Sequence, residues 1–277
     1  MATALITGGT SGIGANFARI LAGRGFDLVL VARDEKRLAS TARELSSKFG
    51  VVVDVVRADL SVRADVNRVL GIVTNEKRPI EMLVSNAGFG VHTKLTSVDT
   101  AAHENALSVM VTAVLLLGGA AARTMRERGH GTIINVSSTA GWVTMGAYSA
   151  IKAWVTSYTE GLAVELRGSG VNVTALCPGW VRTEFHDRAG INATSIPRAL
   201  WVDSDHLVES ALRDAKRGRV ISIPSLRFKF LVWALRHVPR WAVRSVSKSL
   251  SSKRSNASTP TLPASGTPAL STGSDQH

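Results

Sequence analysis

Tyr148 and Lys152 stand four residues apart in the run Tyr148-Ser149-Ala150-Ile151-Lys152, a spacing that puts a phenol and an ammonium on one face of a helix. A cation so placed stabilises phenolate and draws a weak acid toward the working range, where it can trade protons with a carbonyl or an alcohol. Alone, the pair reads first as surface decoration. A second group changes its weight. Thr3 to Thr7 reads as a short buried strand, glycines follow at 8, 9, 12 and 14, and Asn16 to Gly23 reads as a helix. Strand, turn and helix in that order are what a dinucleotide site requires. Glycines let the backbone approach a pyrophosphate, which then sits at the helix N-terminus. The plainer alternative is an ordinary tight turn between strand and helix.

Together these residues resemble the short-chain dehydrogenase/reductase family, in the form whose glycine motif is T-G-x-x-x-G-x-G, here Thr7, Gly8, Gly9, Thr10, Ser11, Gly12, Ile13 and Gly14. The resemblance covers residues 2 to 225, with further matches in the family's order. Asp59-Leu60 follow the third strand, Asn86-Ala87-Gly88 the fourth, Ser137-Ser138 the fifth, and Pro178-Gly179 with Val181 and Thr183 the sixth.

The resemblance implies a reductase of ketones, 3-oxoacyl compounds among them, with Ser138, Tyr148 and Lys152 as the catalytic residues. Tyr148 would be the general acid, and Lys152 would hold the nicotinamide ribose and lower the phenol's pKa. Ser138 would hydrogen-bond the substrate oxygen where charge grows. Ser138 is preferred to Ser137 because the second serine usually aligns with the catalytic one. Cofactor contacts would come from the glycine loop, Asp59 at the adenine, Leu60, Asn86 at the ribose and nicotinamide side, Ala87, Gly88, Tyr148, Lys152, Pro178, Gly179, Val181, and Thr183 at the carboxamide. Asp59, Asn86 and Thr183 read otherwise as turn or cap residues. After the second strand stands Arg33, where an acid would accept ribose hydroxyls and an arginine would bind a 2′-phosphate. That favours NADP(H), although Asp34 follows and Arg33 also reads as the start of a solvated helix face.

The elements that must position these residues are legible as apolar runs alternating with segments of helical period. The runs are Thr3 to Thr7, Leu28 to Ala32, Val51 to Val56, Glu81 to Ser85, Thr132 to Val136, Val171 to Leu176 and Val220 to Ile223. They predict one α/β domain with a doubly wound, mostly parallel seven-stranded sheet and helices on both faces, the Rossmann type that the resemblance also implies. At 277 residues and 45% hydrophobic content the chain can bury a large core without disulfides. The lone Cys177 reads as a buried small side chain, and seven scattered histidines lack ligand spacing, so no metal is expected. Two glycosylation patterns, at Asn172 and Asn192, are read as accidental. The first residues form a strand rather than a charged, apolar leader, so the expectation is a reducing, cytoplasmic location.

Charge is concentrated late. From Arg213 to Arg254 twelve Lys or Arg face one acid, Asp214, which accounts for eleven of the net charge of +12. Residues 226 to 250 mix aromatic and apolar positions with Arg236, Arg240, Arg244 and Lys248 at four-residue intervals. Pro239 should break or kink the segment, which is too short and too charged to span a bilayer. It suits the surface of an anionic membrane. Equally, its apolar face could pack over the cleft or a second subunit. No nucleic-acid module accompanies the basic stripe, and nucleic acid is not expected as a partner. Residues 251 to 277, rich in Ser, Thr, Pro and Ala, read as a disordered tail.

Two departures from the family pattern bear on mechanism and substrate. Ser138 and Tyr148 are only ten residues apart, so the loop carrying Trp142, Val143 and Met145 should be tight, either as an apolar wall or as plain packing. The family's catalytic asparagine aligns with Met110, which passes no proton, and Asn105 lies too far away to replace it. The apolar content of Glu184 to Trp201 leans toward a hydrophobic, lipid-like ketone or alcohol as the small-molecule partner. The helices read near 104 to 126 and 147 to 167 are those through which relatives associate, so a homo-dimer or homo-tetramer is expected. The rival reading is a dinucleotide-binding regulatory or scaffold protein that would not need Tyr148.

Overall fold

The chain was analysed as a computed structural model that describes residues 2–181, 201–245 and 247. Its main sheet joins β1 (Thr3–Thr7), β2 (Asp27–Ala32), β3 (Val53–Arg57), β4 (Ile80–Ser85), β5 (Gly131–Val136), β6 (Val171–Leu176) and β9 (Ile221–Ser222) in the order β3-β2-β1-β4-β5-β6-β9. All six pairings are parallel. A two-stranded ribbon, β7 (Trp180–Val181) with β8 (Trp201–Val202), stands apart.

Alternation along β1 explains why the strands are continuous apolar runs. Leu5 faces α3 (Arg63–Val73), α5 (Ala113–Arg128) and α6 (Gly146–Glu165). Its neighbours Ala4 and Ile6 face α1 (Gly12–Gly23), α2 (Glu35–Phe49) and α7 (Ser204–Lys216). With helices on both faces, neither set of side chains can be polar. The expected doubly wound seven-stranded sheet is therefore what forms.

Two strands are shorter than their apolar runs. Gly50 closes α2 in the left-handed conformation, and the chain needs Val51 and Val52 to enter the sheet. Val52 already accepts from Leu28 N and donates to the Asp27 carboxylate, but the strand register begins with Leu28 opposite Val53. The edge strand likewise pairs through only Ala175 and Leu176.

Helical residues 101–128 form one long rod of α4 (Ala101–Leu107), a π-helical turn (Ser108–Thr112) and α5. The rod is long and apolar enough to cross a bilayer, yet Val109, Met110, Leu117 and Met125 are core residues against the sheet. Its π turn was not foreseen.

The basic segment packs on the domain. In α8 (Leu226–His237), Phe228 and Val232 enter a cluster with Ala175, Cys177 and Ile223, flanked by Trp142 and Trp180. A Cβ on Gly179 would collide with the Phe228 ring, so that glycine admits the helix. Beyond Pro239, Val243 and Ser247 are buried, and Ser247 Oγ accepts from Thr144 N at 3.1 Å. Phe228→Ala should cost about 3 kcal/mol by opening a cavity under α8. Thermal denaturation should show a lowered midpoint, and hydrogen exchange should quicken in 226–245 but not in β1; unchanged exchange there would show that Phe228 does not anchor the helix.

Candidate active site

The residues singled out by type and spacing gather at the carboxyl ends of β1, β4, β5 and β6, where the strand order reverses between β1 and β4. Such reversals open a crevice for a ligand. Thr7 Oγ1, at the end of β1, accepts from Asn86 N at 2.9 Å and Ala87 N at 3.1 Å, tying β4's exit to the glycine loop. The Asn86 carboxamide donates to Thr7 O at 3.0 Å and Gly8 O at 3.2 Å. Asn86 thus fastens the loop, in line with its alternative reading as a turn residue. A Cβ at Gly14 would collide with both Gly8 O and Asn86 Nδ2. Thr10, Ser11, Gly12 and Ile13 line the half-buried approach to α1. Ser11 stands at the N-cap but its side chain caps nothing, which leaves first-turn N–H groups for an anion.

At the adenosine end, Arg33 is 69% exposed and 3.9 Å from the Asp59 carboxylate. Asp34, the alternative ribose partner, instead caps α2 by accepting from Arg37 N at 3.0 Å. Burial works to raise the Asp59 pKa, but hydrogen bonds from Ser61 N and Ser61 Oγ, with the Arg33 charge, hold it below the usual carboxylate range. Leu60 is buried in the core beneath. These residues fit a phosphorylated dinucleotide: an open helix start, a tight glycine turn and an exposed guanidinium beyond β2.

At the other end, a short 3-10 turn (Thr139–Trp142) and α6 bring three groups together. Ser138 Oγ accepts from Ala140 N and is hydrogen-bonded to the Tyr148 phenol. Ser137 points the other way, completely buried, and binds Lys152 O and Thr156 Oγ1, each at 2.7 Å. The two serines are thus separated by geometry. Lys152 is 5% exposed; its Nζ donates to Val136 O at 2.8 Å and lies 5.6 Å from the centre of the Tyr148 ring.

One expectation about this cluster needs correcting. Lys152 was expected to lower the phenol's pKa, but burial pushes Tyr148 up to about 12, with only the Ser138 hydrogen bond opposing it. Burial also lowers Lys152 to about 8, partly offset by Cys177. With burial dominating, in the protein alone Tyr148 remains a protonated acid.

The remaining site positions are distributed around this cluster. Met110 is buried in the π turn; a Cβ on Gly88 would lie 3.0 Å from Met110 Sδ and 3.7 Å from Lys152 Nζ, so both side chains converge on that point. Pro178 O accepts from Thr139 N and Thr139 Oγ1, Gly179 adjoins Phe228, and Val181 is buried in β7. Trp142 packs against the cluster under α8. Asn105 is exposed in α4, in the turn before the π-helical residues. Thr183 and residues 184–200 lie outside the described residues. Burial also pushes the Cys177 thiol up to about 12, which leaves it un-ionised. Among the described residues no His, Cys, Asp and Glu cluster could hold a metal.

A family model described as short chain dehydrogenase matches residues 2–193. The chain belongs to this family. The chain is 39% identical over 197 residues, 67% of its own length and 72% of the relative's, to a Streptomyces virginiae protein described as a ketoacyl reductase of monensin polyketide synthase. Its fold matches the short-chain dehydrogenase from Sphingobium yanoikuyae in complex with NADPH, at 34% identity and TM-score 0.77, covering 96% of this chain and 99% of that one. The bulky-bulky ketone specific alcohol dehydrogenase from Comamonas testosteroni is similar at 30% identity and TM-score 0.72, with 96% and 97% covered.

A groove of ≈ 810 Å³ lies elsewhere, at the amino ends of the strands among Thr3, Asp27, Arg78, Glu81, His130 and Asn172. Sheet topology and the buried titratable groups locate the site better than groove size does.

Burying Lys152 makes stability depend on pH. Its folded pKa, about 8, is below the usual 10.5, so between these values the unfolded chain holds a proton that the folded one has lost. Stability from this group therefore rises as pH climbs through that window, by about 3 kcal/mol in all. Denaturant titrations of wild type and Lys152→Met should show the difference moving in favour of wild type from pH 8 to 10.5. A constant difference would mean that the ammonium is not desolvated in the fold.

Proposed function

We propose that the protein is an NADP(H)-dependent reductase that converts a hydrophobic ketone, lipid-like or 3-oxoacyl in character, to a secondary alcohol. The observation that carries this reading is the hydrogen-bonded Ser138 and Tyr148 pair beside a buried Lys152, opposite an uncapped dinucleotide turn. Family membership supports oxidoreduction. The NADPH of the Sphingobium structure and the exposed Arg33 support the phosphorylated cofactor. The named activities of the Streptomyces and Comamonas relatives support a ketone.

The cofactor would be held by the glycine loop and the α1 N-terminus at its pyrophosphate, by Arg33 at the 2′-phosphate, and by Asp59, Asn86 and Lys152 along its length. When bound it supplies hydride to the carbonyl carbon. Tyr148, un-ionised at neutral pH, donates its proton to the substrate oxygen as charge develops there. Ser138 adds a hydrogen bond to the same oxygen. A phenol held in its acid form favours reduction over the reverse direction, which requires a base.

Met110 occupies the position from which a polar residue would pass protons toward Lys152, and its thioether has none to give. In this reading water reaching Lys152 by another way is a poorer relay, and resupply slows turnover. The oligomer in this reading is a homo-dimer or homo-tetramer through the α4–α5 rod and α6, supported by the exposed Leu107, Leu115 and Val164 on those helices. A cytoplasmic location is supported by the buried free thiol of Cys177, which needs no oxidising compartment.

Tyr148→Phe should lower turnover of ketones by at least about a hundredfold while NADPH binding, followed by fluorescence, stays close to wild type. Surviving turnover would favour a scaffold over an enzyme. Arg33→Ala should raise KM for NADPH about tenfold or more through the lost charged hydrogen bond and leave NADH unaffected; an equal effect on both cofactors would refute the 2′-phosphate assignment. Met110→Asn should raise kcat with little change in KM, whereas an unchanged kcat would show that bulk water already serves.

A further inference from the structure

We propose that the outer face of α8 and the helical residues after it form a docking surface for an anionic lipid bilayer. α8 is two-sided. Phe228 and Val232 enter the domain, whereas Leu226, Phe230 and Trp233, at helical spacing, are 80%, 67% and 56% exposed. After Pro239, Trp241 is 66% exposed. The rings stack along the outer face: Phe230 and Trp233 have centroids 5.7 Å apart, and Trp233 and His237 4.7 Å. Leu231 and Val238 widen this apolar stripe.

Around it stand exposed Arg227, Lys229, Arg236, Arg240 and Arg244, with no Asp or Glu between Leu226 and Ser247. The acid that faces the patch is Glu160 of α6, 3.9 Å from Arg236. Aromatic and leucine side chains on one ridge, flanked by arginines and lysine, match the two layers of a bilayer interface: acyl boundary for the rings, anionic headgroups for the cations. Two copies of the chain meeting through this face would set mostly cation against cation, with Glu160 of each copy too little to balance them. Nucleic acid would satisfy the cations and leave Leu226, Leu231 and Val238 in water. The lipid surface uses both features.

The packed side of the same helix rests on the 3-10 turn that follows Ser138, and Ser247 holds Thr144 in the loop leading to Tyr148. A docked bilayer would thus lie about one helix diameter, ~10 Å, from the substrate side of the site. Docking itself does not depend on the catalytic reading and is measured without turnover.

The full chain is sedimented with vesicles of phosphatidylcholine alone or mixed with phosphatidylglycerol, at low and high salt. Binding should be about tenfold stronger to the anionic vesicles and fall with salt. Phe230→Ser/Trp233→Ser and Arg240→Glu/Arg244→Glu, both confined to exposed positions, should each lose about tenfold in binding, with thermal midpoint and molar mass by light scattering unchanged. Equal sedimentation with both vesicle types would overturn the proposal. So would undiminished binding by the Phe230/Trp233 variant, or a fall in that variant's molar mass with lipid binding intact, which would assign the stripe to a second copy of the chain.

Discussion

A lysine ammonium is carried beneath the surface at the carboxyl ends of the strands, where it donates a hydrogen bond to the Val136 carbonyl at 2.8 Å. Desolvating such a group works against its charge, which is why its pKa falls to about 8. The arrangement persists because its surroundings are over-determined. Ser137, at the end of β5, bonds both the Lys152 carbonyl and Thr156 Oγ1, and Asn135 in β5 bonds Thr159 of α6. α6 is thereby fixed to the sheet at three successive turns, and Tyr148, one turn before Lys152, is held against Ser138. A looser α6 would let the ammonium reach water and part the two hydroxyls.

The same edge of the sheet holds the other half of the site by a different device. There the fastening is Thr7 and Asn86, whose hydrogen bonds join the ends of β1 and β4 at the start of the glycine loop, beside an α1 N-terminus that no side chain caps. One end therefore presents unspent N–H donors suited to an anion, and the other presents un-ionised hydroxyls suited to a carbonyl oxygen. The crevice between β1 and β4 brings the two ends together.

Much of this was readable from the chain because it rests on spacing and period. Seven apolar runs alternating with helical segments require a covered parallel sheet, and the glycine turn and the Tyr148–Lys152 interval are local. The direction of the Tyr148 pKa was not readable, since it depends on how deep the phenol lies and where the ammonium points. The π turn at Met110 leaves no mark because Ser108 to Thr112 would suit either helix equally. The late segment looked ambiguous for a physical reason: Phe228 and Val232 pack inward while Phe230 and Trp233 face out, so apolar residues occupy two sides of one helix and periodicity alone supports both packing and exposure. Strand ends shifted by one or two residues where a cap such as Gly50 delays pairing.

The central claim is that hydride and proton reach the same carbonyl within this crevice, and isotope transfer tests it most directly. The full-length protein would be incubated with NADPH carrying deuterium on the transferred position at C4 and a series of 3-oxoesters of graded chain length, with the products analysed by mass spectrometry. The account predicts a secondary alcohol bearing one deuterium on its carbinol carbon. Alcohol without that label, or no alcohol from any member of the series, would contradict it.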